Sequence, residues 1–475
     1  MRAGNIDLRS TLGTIINVET SDYAVVNPSN GELIELFETH TDAFIEKTIE
    51  SNAICFREWK NFPFSQRSDC FIKLANILKE DKQDLAITMA LEMGKPKAQG
   101  IAEVEKCAYV CEYFASNAEA FLSPYDVKTD LSLSRVTHKP LGVIFGIMPW
   151  NFPLWQVLRA AAPIIMAGNT FLLKHAPRVP RTAQGIEKMF LKAEFPAGVF
   201  KNIFASNDQC SKIISDSQIK GVCFTGSCGA GRKVATSAGH NLKSVLLELG
   251  GSDPYIVLED ADVQLAAQKT AFSRMLNNGQ TCISAKRFIV LESVAEEFTE
   301  CIISEFEKYK IGNPLDEGVT QGPLSREDIL KGIQDQVARS IQSGSKITYQ
   351  ASSIDSNGYY YPITLLSDVF PASAAFDEEL FGPVGAIVSA KSADEAVELA
   401  NKTSFGLGAA LFTKDEEYGL DLAQNHINAG TCVVNDFVRS DPRLPFGGIN
   451  DSGFGRELGV EGIKQFVNIK TIISN

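Results

Sequence analysis

The stretch that decides the fold runs from Leu141 to Gly251. It opens with LGVIFGIM (141–148) and continues with TFLLK (170–174), VFKNIFA (199–205), GVCFTG (221–226) and SVLLELGG (244–251). Each of these is a short apolar run. Between them lie helical patterns: one from the PWNFP turn to Ala167, then 181–193, 208–217 and 229–240. Short apolar runs alternating with helical stretches predict a parallel, doubly wound α/β sheet. In such a sheet, ligands bind beyond the carboxyl ends of the strands.

Downstream the alternation restarts. A helix is expected over 261–276, a strand at KRFIVLE (286–292) and a helix over 294–308. VGAIVSA (384–390) precedes a helix at 392–402, and GAALFT (408–413) precedes one at 414–427. This reads as a second α/β domain. Upstream, YAVVNPSNGELIELF (23–37) reads as two short strands around a Pro-Ser-Asn-Gly turn. Residues 41–123 show apolar residues at three and four, with acidic and basic residues filling the other face of the helices. YDVKTDLSLSRVTH (125–138) alternates as an exposed strand does and fits poorly in a helical layer, so it is expected to protrude and pair elsewhere. The tail, FVNIKTII (466–473), is strand-like.

Composition narrows the function classes. The chain has 475 residues, 44% hydrophobic and 22% charged, which is ordinary globular composition with material for sizeable cores. Its formal charge of −13 disfavours a nucleic-acid groove and an anionic membrane surface. The first residues, MRAGNIDLRSTLGTIINVETSD, carry no apolar leader pattern. No run reaches the roughly 18 apolar residues of a membrane span. Ten cysteines are dispersed without a CxxC pair, and five histidines form no HExxH. Buried thiols in a reducing cytosol are therefore expected, and no metal site.

One cysteine differs from the rest. Cys282 lies in NNGQTCISAK (277–286), beside Asn277, Asn278, Gly279, Gln280 and Thr281. So polar a loop is a poor place to bury a thiol for packing. Nearby backbone N–H groups could steady a thiolate or an oxyanion, which makes Cys282 a candidate nucleophile. Its base needs a perturbed pKa. Glu248, at the end of an apolar run before Gly250 and Gly251, is the better candidate, and His175 after its strand is the runner-up. Asn151, in the tight turn MPWNFP, has an amide suited to donate to an oxyanion.

Six motifs now stand in one order: MPWNFP (148–153), FTGS (224–227), LELGG (247–251), GQTC (279–282), EELFGPV (378–384) and PFGG…SGFGRE (445–457). Together they resemble the aldehyde dehydrogenase superfamily over nearly the whole chain. WNFPLWQVLRAAAP, LLKHA, LELGGSDP and SDPRLPFGG are most similar to its succinate-semialdehyde dehydrogenases. The resemblance implies two doubly wound α/β domains plus a β oligomerisation arm, in a cytosolic homodimer or homotetramer. Residues 1–123 and 141–250 would form the dinucleotide-binding domain, 251–445 the catalytic domain, and 124–140 with 446–475 the arm. It also implies that Cys282 attacks an aldehyde to give a thiohemiacetal. Asn151 and the Cys282 N–H would hold the oxyanion, and Glu248 would activate water against the later thioester.

The cofactor site is likewise implied rather than derived, because the GxGxxG fingerprint is absent. Trp150, Lys174, Gly226, Ser227, Glu379 and Phe381 match cofactor-contacting positions of the family. Members restricted to NAD often read KxxE where this chain reads Lys174-His175-Ala176-Pro177. A carboxylate there would repel a 2′-phosphate. Its replacement by Pro177, with Arg178 adjacent, leans toward NADP while leaving NAD possible. Asn450 replaces the family's usual Lys in the GGxKxSG stretch, with an effect expected on local packing. For a distal carboxylate on the substrate, Arg159, Arg439 and Ser440 are the expected grip. The arginine that some relatives carry six residues before the nucleophile is Leu276 here, so the grip must differ from theirs. Glutarate semialdehyde is the nearest alternative substrate. A cofactor-free cysteine hydrolase and a non-catalytic binder on the same fold are the rival classes.

Overall fold

The computed structural model describes residues 23–354 and 356–475. The stretch read for a leader, 1–22, lies outside the described residues. Two parallel sheets organise the rest. The first has six strands in the spatial order Gly453–Phe454, Ser244–Glu248, Ile219–Thr225, Val143–Met148, Thr170–His175, Phe200–Ile203. All its pairings are parallel except that of Gly453–Phe454 on Leu247 and Glu248. Val143–Met148 and Thr170–His175 are buried at every position, as strands covered on both faces must be. Strand order reverses beside Val143–Met148. The turns after Met148 and after Thr225 therefore flank a topological switch point, where a crevice opens.

The second sheet has seven strands, ordered Lys346–Gln350, Thr364–Ser367, Val384–Ala390, Ala285–Leu291, Asp253–Val257, Gly408–Phe412, Thr431–Val434. Only Lys346–Gln350 runs antiparallel to its neighbour. The helices fall close to expectation: Trp155–Met166, Pro180–Lys192, Asn207–Ser215, Cys228–His240 and Val263–Met275. The helix Glu327–Gln342 and its neighbouring strands had not been expected. The upstream helical region resolves into four helices, Asp42–Trp59, Phe64–Glu80, Lys82–Met93 and Lys97–Leu122. Their apolar faces share a core with Trp155–Met166.

The alternating stretch pairs where it was expected to, outside the helical layer. Tyr125–Asp126, Leu133–Pro140 and Val467–Ser474 form a three-stranded antiparallel sheet. Ile469 and Ile473 on its outer strand are exposed.

On the long helix Lys97–Leu122 part of the charged face turns inward: Glu103 is buried, and Lys106 lines a cavity with Cys282. Gln99, Ala102, Glu103 and Lys106 share one face at helical spacing, and that face looks inward.

Candidate active site

The loop that carries Cys282 packs against the turn that carries Asn151. Leu276–Gly279 forms a tight turn between the helix Val263–Met275 and the strand Ala285–Leu291. Asn277, Asn278 and Gly279 stand at φ 56°, 60° and 75°. Left-handed backbone is costly for most L-residues, and glycine and asparagine tolerate it best. The sequence therefore carries the residues that this turn requires.

The loop's polar side chains do not face water. Asn277, Asn278 and Gln280 are fully buried. Asn277 Nδ2 donates to Asn151 O at 2.7 Å, and Asn278 Nδ2 to Gly94 O at 2.8 Å and Pro323 O at 2.9 Å. Ser325 N donates to Gln280 Oε1 at 2.9 Å. These bonds satisfy backbone groups that a buried loop would otherwise leave orphaned. Cys282 remains partly accessible, in the wall of a cavity of about 410 Å³.

Lys286, which the sequence reading missed, anchors the loop. Its buried ammonium donates to Cys282 O at 2.6 Å and Thr281 O at 3.1 Å. Burial pushes the Cys282 thiol up to about 12, outweighing the nearby charges of Arg159 and Lys286. The resting thiol is neutral, so attack needs a proton acceptor or a change of environment. Glu248 closes the strand Ser244–Glu248 and is almost fully buried. Burial raises its pKa well above the carboxylate range, against the lowering charge of Arg159. Its Oε1 has no hydrogen-bond partner, so an acceptor is left over. His175, the runner-up base, is occupied elsewhere. Its Nε2 donates to Pro153 O at 2.8 Å, its Nδ1 accepts from Ala176 N, and burial drives its pKa to about 4. It braces the turn that carries Asn151. The Asn151 amide donates from Nδ2 to Gln280 O at 3.1 Å, which holds it against the catalytic loop.

The expected cofactor residues gather along the carboxyl edge of the six-stranded sheet. Trp150 and Phe381 meet edge to face, with ring centroids 5.8 Å apart. Gly226 N donates to Glu248 O at 3.0 Å, tying this edge to the candidate base. Ser227 caps the helix Cys228–His240, its Oγ accepting from Ala230 N at 3.4 Å. That helix has no acidic residue in its first turn, and a Cβ at Gly229 would meet nothing. An open, positive helix end fits a pyrophosphate. Lys174, next to last in the strand Thr170–His175, is buried, with its ammonium 5.9 Å from the Tyr23 ring centroid. Glu379 accepts from Gly251 N at 3.2 Å and lies 3.5 Å from Lys286. The residues present fit a dinucleotide. Among the described residues no cluster could hold a metal ion.

The substrate candidates all line the cavity with Cys282, as do Phe152, Trp155, Leu276 and Phe437. Arg159 and Trp155 share its wall, as their spacing on one helix predicts. Arg159 is buried, ion-paired with Glu457, and stacked 4.8 Å from the Phe446 ring centroid. Arg439 lies 3.1 Å from Asp436, largely in solvent. Ser440 is buried, and its Oγ accepts from Trp155 Nε1 at 3.2 Å and from Lys106 Nζ at 3.0 Å. Lys106 was not foreseen. Its only signal in the sequence was a shared helix face with Glu103.

Comparison with known proteins agrees with this architecture. The description of the aldehyde dehydrogenase family matches residues 15–472. The chain belongs to that family. It is 44% identical over 449 residues to a probable NADP+-type succinate-semialdehyde dehydrogenase of Synechocystis, covering 94% of this chain and 99% of that one. It is 41% identical over 447 residues to an NAD(P)+-type succinate semialdehyde dehydrogenase of Escherichia coli, covering 94% and 96%. Among solved structures it matches a Streptococcus pyogenes succinic semialdehyde dehydrogenase in complex with NADP+. That match has a TM-score of 0.93 and 36% identity, over 95% of this chain and 99% of that one.

Proposed function

We propose that this protein oxidises succinate semialdehyde to succinate with reduction of NADP or NAD, with Cys282 as nucleophile, Glu248 as base and Asn151 as oxyanion donor. The observation that carries the reading is the cavity itself. It joins a lone accessible thiol to cationic and hydroxyl side chains suited to a distal carboxylate. The substrates named for the Synechocystis and Escherichia coli relatives support the same aldehyde.

The Cys282 thiol gives up its proton to solvent in the cavity as its sulfur adds to the aldehyde carbon, and the Asn151 amide with the Cys282 N–H stabilises the resulting oxyanion. When bound, the nicotinamide supplies the hydride acceptor that turns the thiohemiacetal into a thioester. Trp150, Lys174, Gly226, Ser227, Glu379 and Phe381 would hold the dinucleotide. Glu248 then takes a proton from water, which attacks the thioester and frees the acid. A base for water supports release of a free acid rather than acyl transfer to another thiol. Pro177, where NAD-restricted relatives carry a carboxylate, supports acceptance of NADP.

We read the six-stranded sheet with the upstream helices as the dinucleotide-binding domain and the seven-stranded sheet as the catalytic domain. The three-stranded sheet, with exposed Ile469 and Ile473, is suited to an oligomer contact, and we place the protein in the cytosol as a homo-oligomer. Among the described residues no helix is long and apolar enough to cross a membrane.

The test is the initial rate with succinate semialdehyde and NAD or NADP, followed by reduced-nicotinamide absorbance. A rate that vanishes in Cys282→Ala supports the proposal, and the cofactor ratio reports on Pro177. Folded protein that reduces neither cofactor sinks the substrate assignment. Activity surviving in Cys282→Ala sinks the mechanism.

A further inference from the structure

The Thr281–Cys282 peptide lies beside the thiol, and its two polar ends meet different surroundings. The peptide is trans and planar, so its C=O and N–H point in opposite directions. Thr281 O accepts from Ser284 Oγ at 2.9 Å, Lys286 Nζ at 3.1 Å and Ser284 N at 3.4 Å. Cys282 O, on the next peptide, accepts from the same ammonium at 2.6 Å. The Cys282 N–H has no hydrogen-bond partner among the described residues. One end of the peptide is clamped from behind, and the other keeps a proton to give.

The clamp is of an expensive kind. Lys286 and Ser284 are both buried, and a buried ammonium needs counter-charge and hydrogen bonds. Glu379 lies 3.5 Å from Nζ and supplies the counter-charge. Gln280 O, one residue before Thr281, is met instead by neutral amides, from Asn151 Nδ2 and Asn277 Nδ2 at 3.1 Å each. Satisfying a buried carbonyl asks only for such neutral donors. A cation on Thr281 O does more. It draws amide electron density toward the oxygen, which makes the N–H on the far side a stronger donor. Asn151 is held in a related way. Its Nδ2 carries two protons, and Gln280 O takes one, which leaves the other for a ligand.

We propose that Lys286 and Ser284 are positioning residues for the oxyanion. From behind the Thr281–Cys282 peptide they fix its plane and strengthen its N–H, and they touch no part of the substrate. This deepens the function proposed above and rests on it.

The experiment compares two second-order rate constants at one pH. The first is kcat/KM for succinate semialdehyde with NADP. The second is alkylation of Cys282 by iodoacetamide in the cofactor-free protein, followed by mass spectrometry of the peptide that carries Cys282. Both reactions need the thiolate, so its population cancels in their ratio. Only the aldehyde forms an oxyanion. In alkylation the sulfur displaces iodide from a saturated carbon, and no oxygen gains charge.

Wild type, Lys286→Met and Ser284→Ala are measured as full chains. The ratio of oxidation to alkylation should fall about 10- to 100-fold in Lys286→Met, chiefly through kcat. Ser284→Ala changes no charge and removes one hydrogen bond, and its ratio should fall about 3- to 10-fold. Should Lys286→Met fail to fold, the Ser284→Ala ratio decides alone. A ratio unchanged from wild type overturns the proposal whatever the absolute rates, because any loss then lies in the thiol. A ratio that falls only in Ser284→Ala overturns the part given to Lys286. Folded wild type that does not oxidise succinate semialdehyde overturns the function on which the proposal rests.

Discussion

The turn around Gly226 and Ser227 and the loop from Leu276 to Cys282 are built on opposite principles. The first is an ordinary strand-to-helix junction with open space above Gly229 and a helix end free to meet an anion. The second is buried, left-handed at three positions, and tied down by side-chain amides. A cofactor that enters and leaves each turnover needs an accessible edge. A nucleophile must hold its position, and a buried polar network supplies that rigidity. The difference teaches that polarity in a loop sequence does not report exposure. In one place it caps a helix, and in the other it satisfies an interior.

The comparison can be broken most severely at its glycines. A Cβ at Gly279 would collide with the Gly382 backbone, and the residue stands at positive φ. Gly279→Ala is expected to cost roughly 3 kcal/mol or more in stability and to abolish activity. Gly229→Ala meets open space and should stabilise the cofactor-free protein by about 0.5 kcal/mol. Thermal unfolding of both variants checks the opposite signs, and equal shifts would erase the distinction.

Within the rigid side, Glu248→Gln should lower kcat on the order of 10²- to 10⁴-fold while leaving an initial burst of reduced nicotinamide as thioester accumulates. Stopped-flow absorbance reads both, and loss of the burst would move Glu248 to the attack step. The pH sign follows from the same residues. Glu248 and Cys282 are both held protonated by burial, so the wild-type rate should rise with pH. A rate falling through the neutral range would contradict those roles.

Asn151→Ala should cost about 100-fold in kcat through the lost oxyanion donor. The smallest effect lies on the open side. Ser227→Ala removes a cap worth about 1 kcal/mol, read as a small drop in melting temperature with a modest rise in the cofactor Kd. A larger loss there than at Asn151 would reverse the comparison.

Much of the fold was legible because its strands are covered on both faces. Unbroken apolar runs such as Val143–Met148 stand out against helical periodicity. The helix Glu327–Gln342 and the strands Thr364–Ser367 and Thr431–Val434 escaped because their elements are short, edge-placed or mixed in polarity. The catalytic candidates were readable as residue types in unusual settings: a thiol among amides, and a carboxylate ending an apolar run. The substrate cavity was less so. Arg159 was visible by its spacing from Trp155, but its pairing with Glu457 links residues 298 positions apart in the chain. Lys106 was not singled out, because periodicity places a residue on a helix side without saying what packs against that side.

The sequence by itself determined the α/β class and the family, and it singled out Cys282 and Glu248 as candidates for nucleophile and base. Those follow from local pattern and from side-chain chemistry, which each residue carries wherever it lies. Only the tertiary structure decided which charges are spent on neighbours and which stay available. Compensation depends on distance and burial between segments remote in the chain, and no local pattern encodes it. Arg159 and Lys106 are both cations in one cavity wall, yet Arg159 is ion-paired with Glu457 while Lys106 forms no ion pair among the described residues.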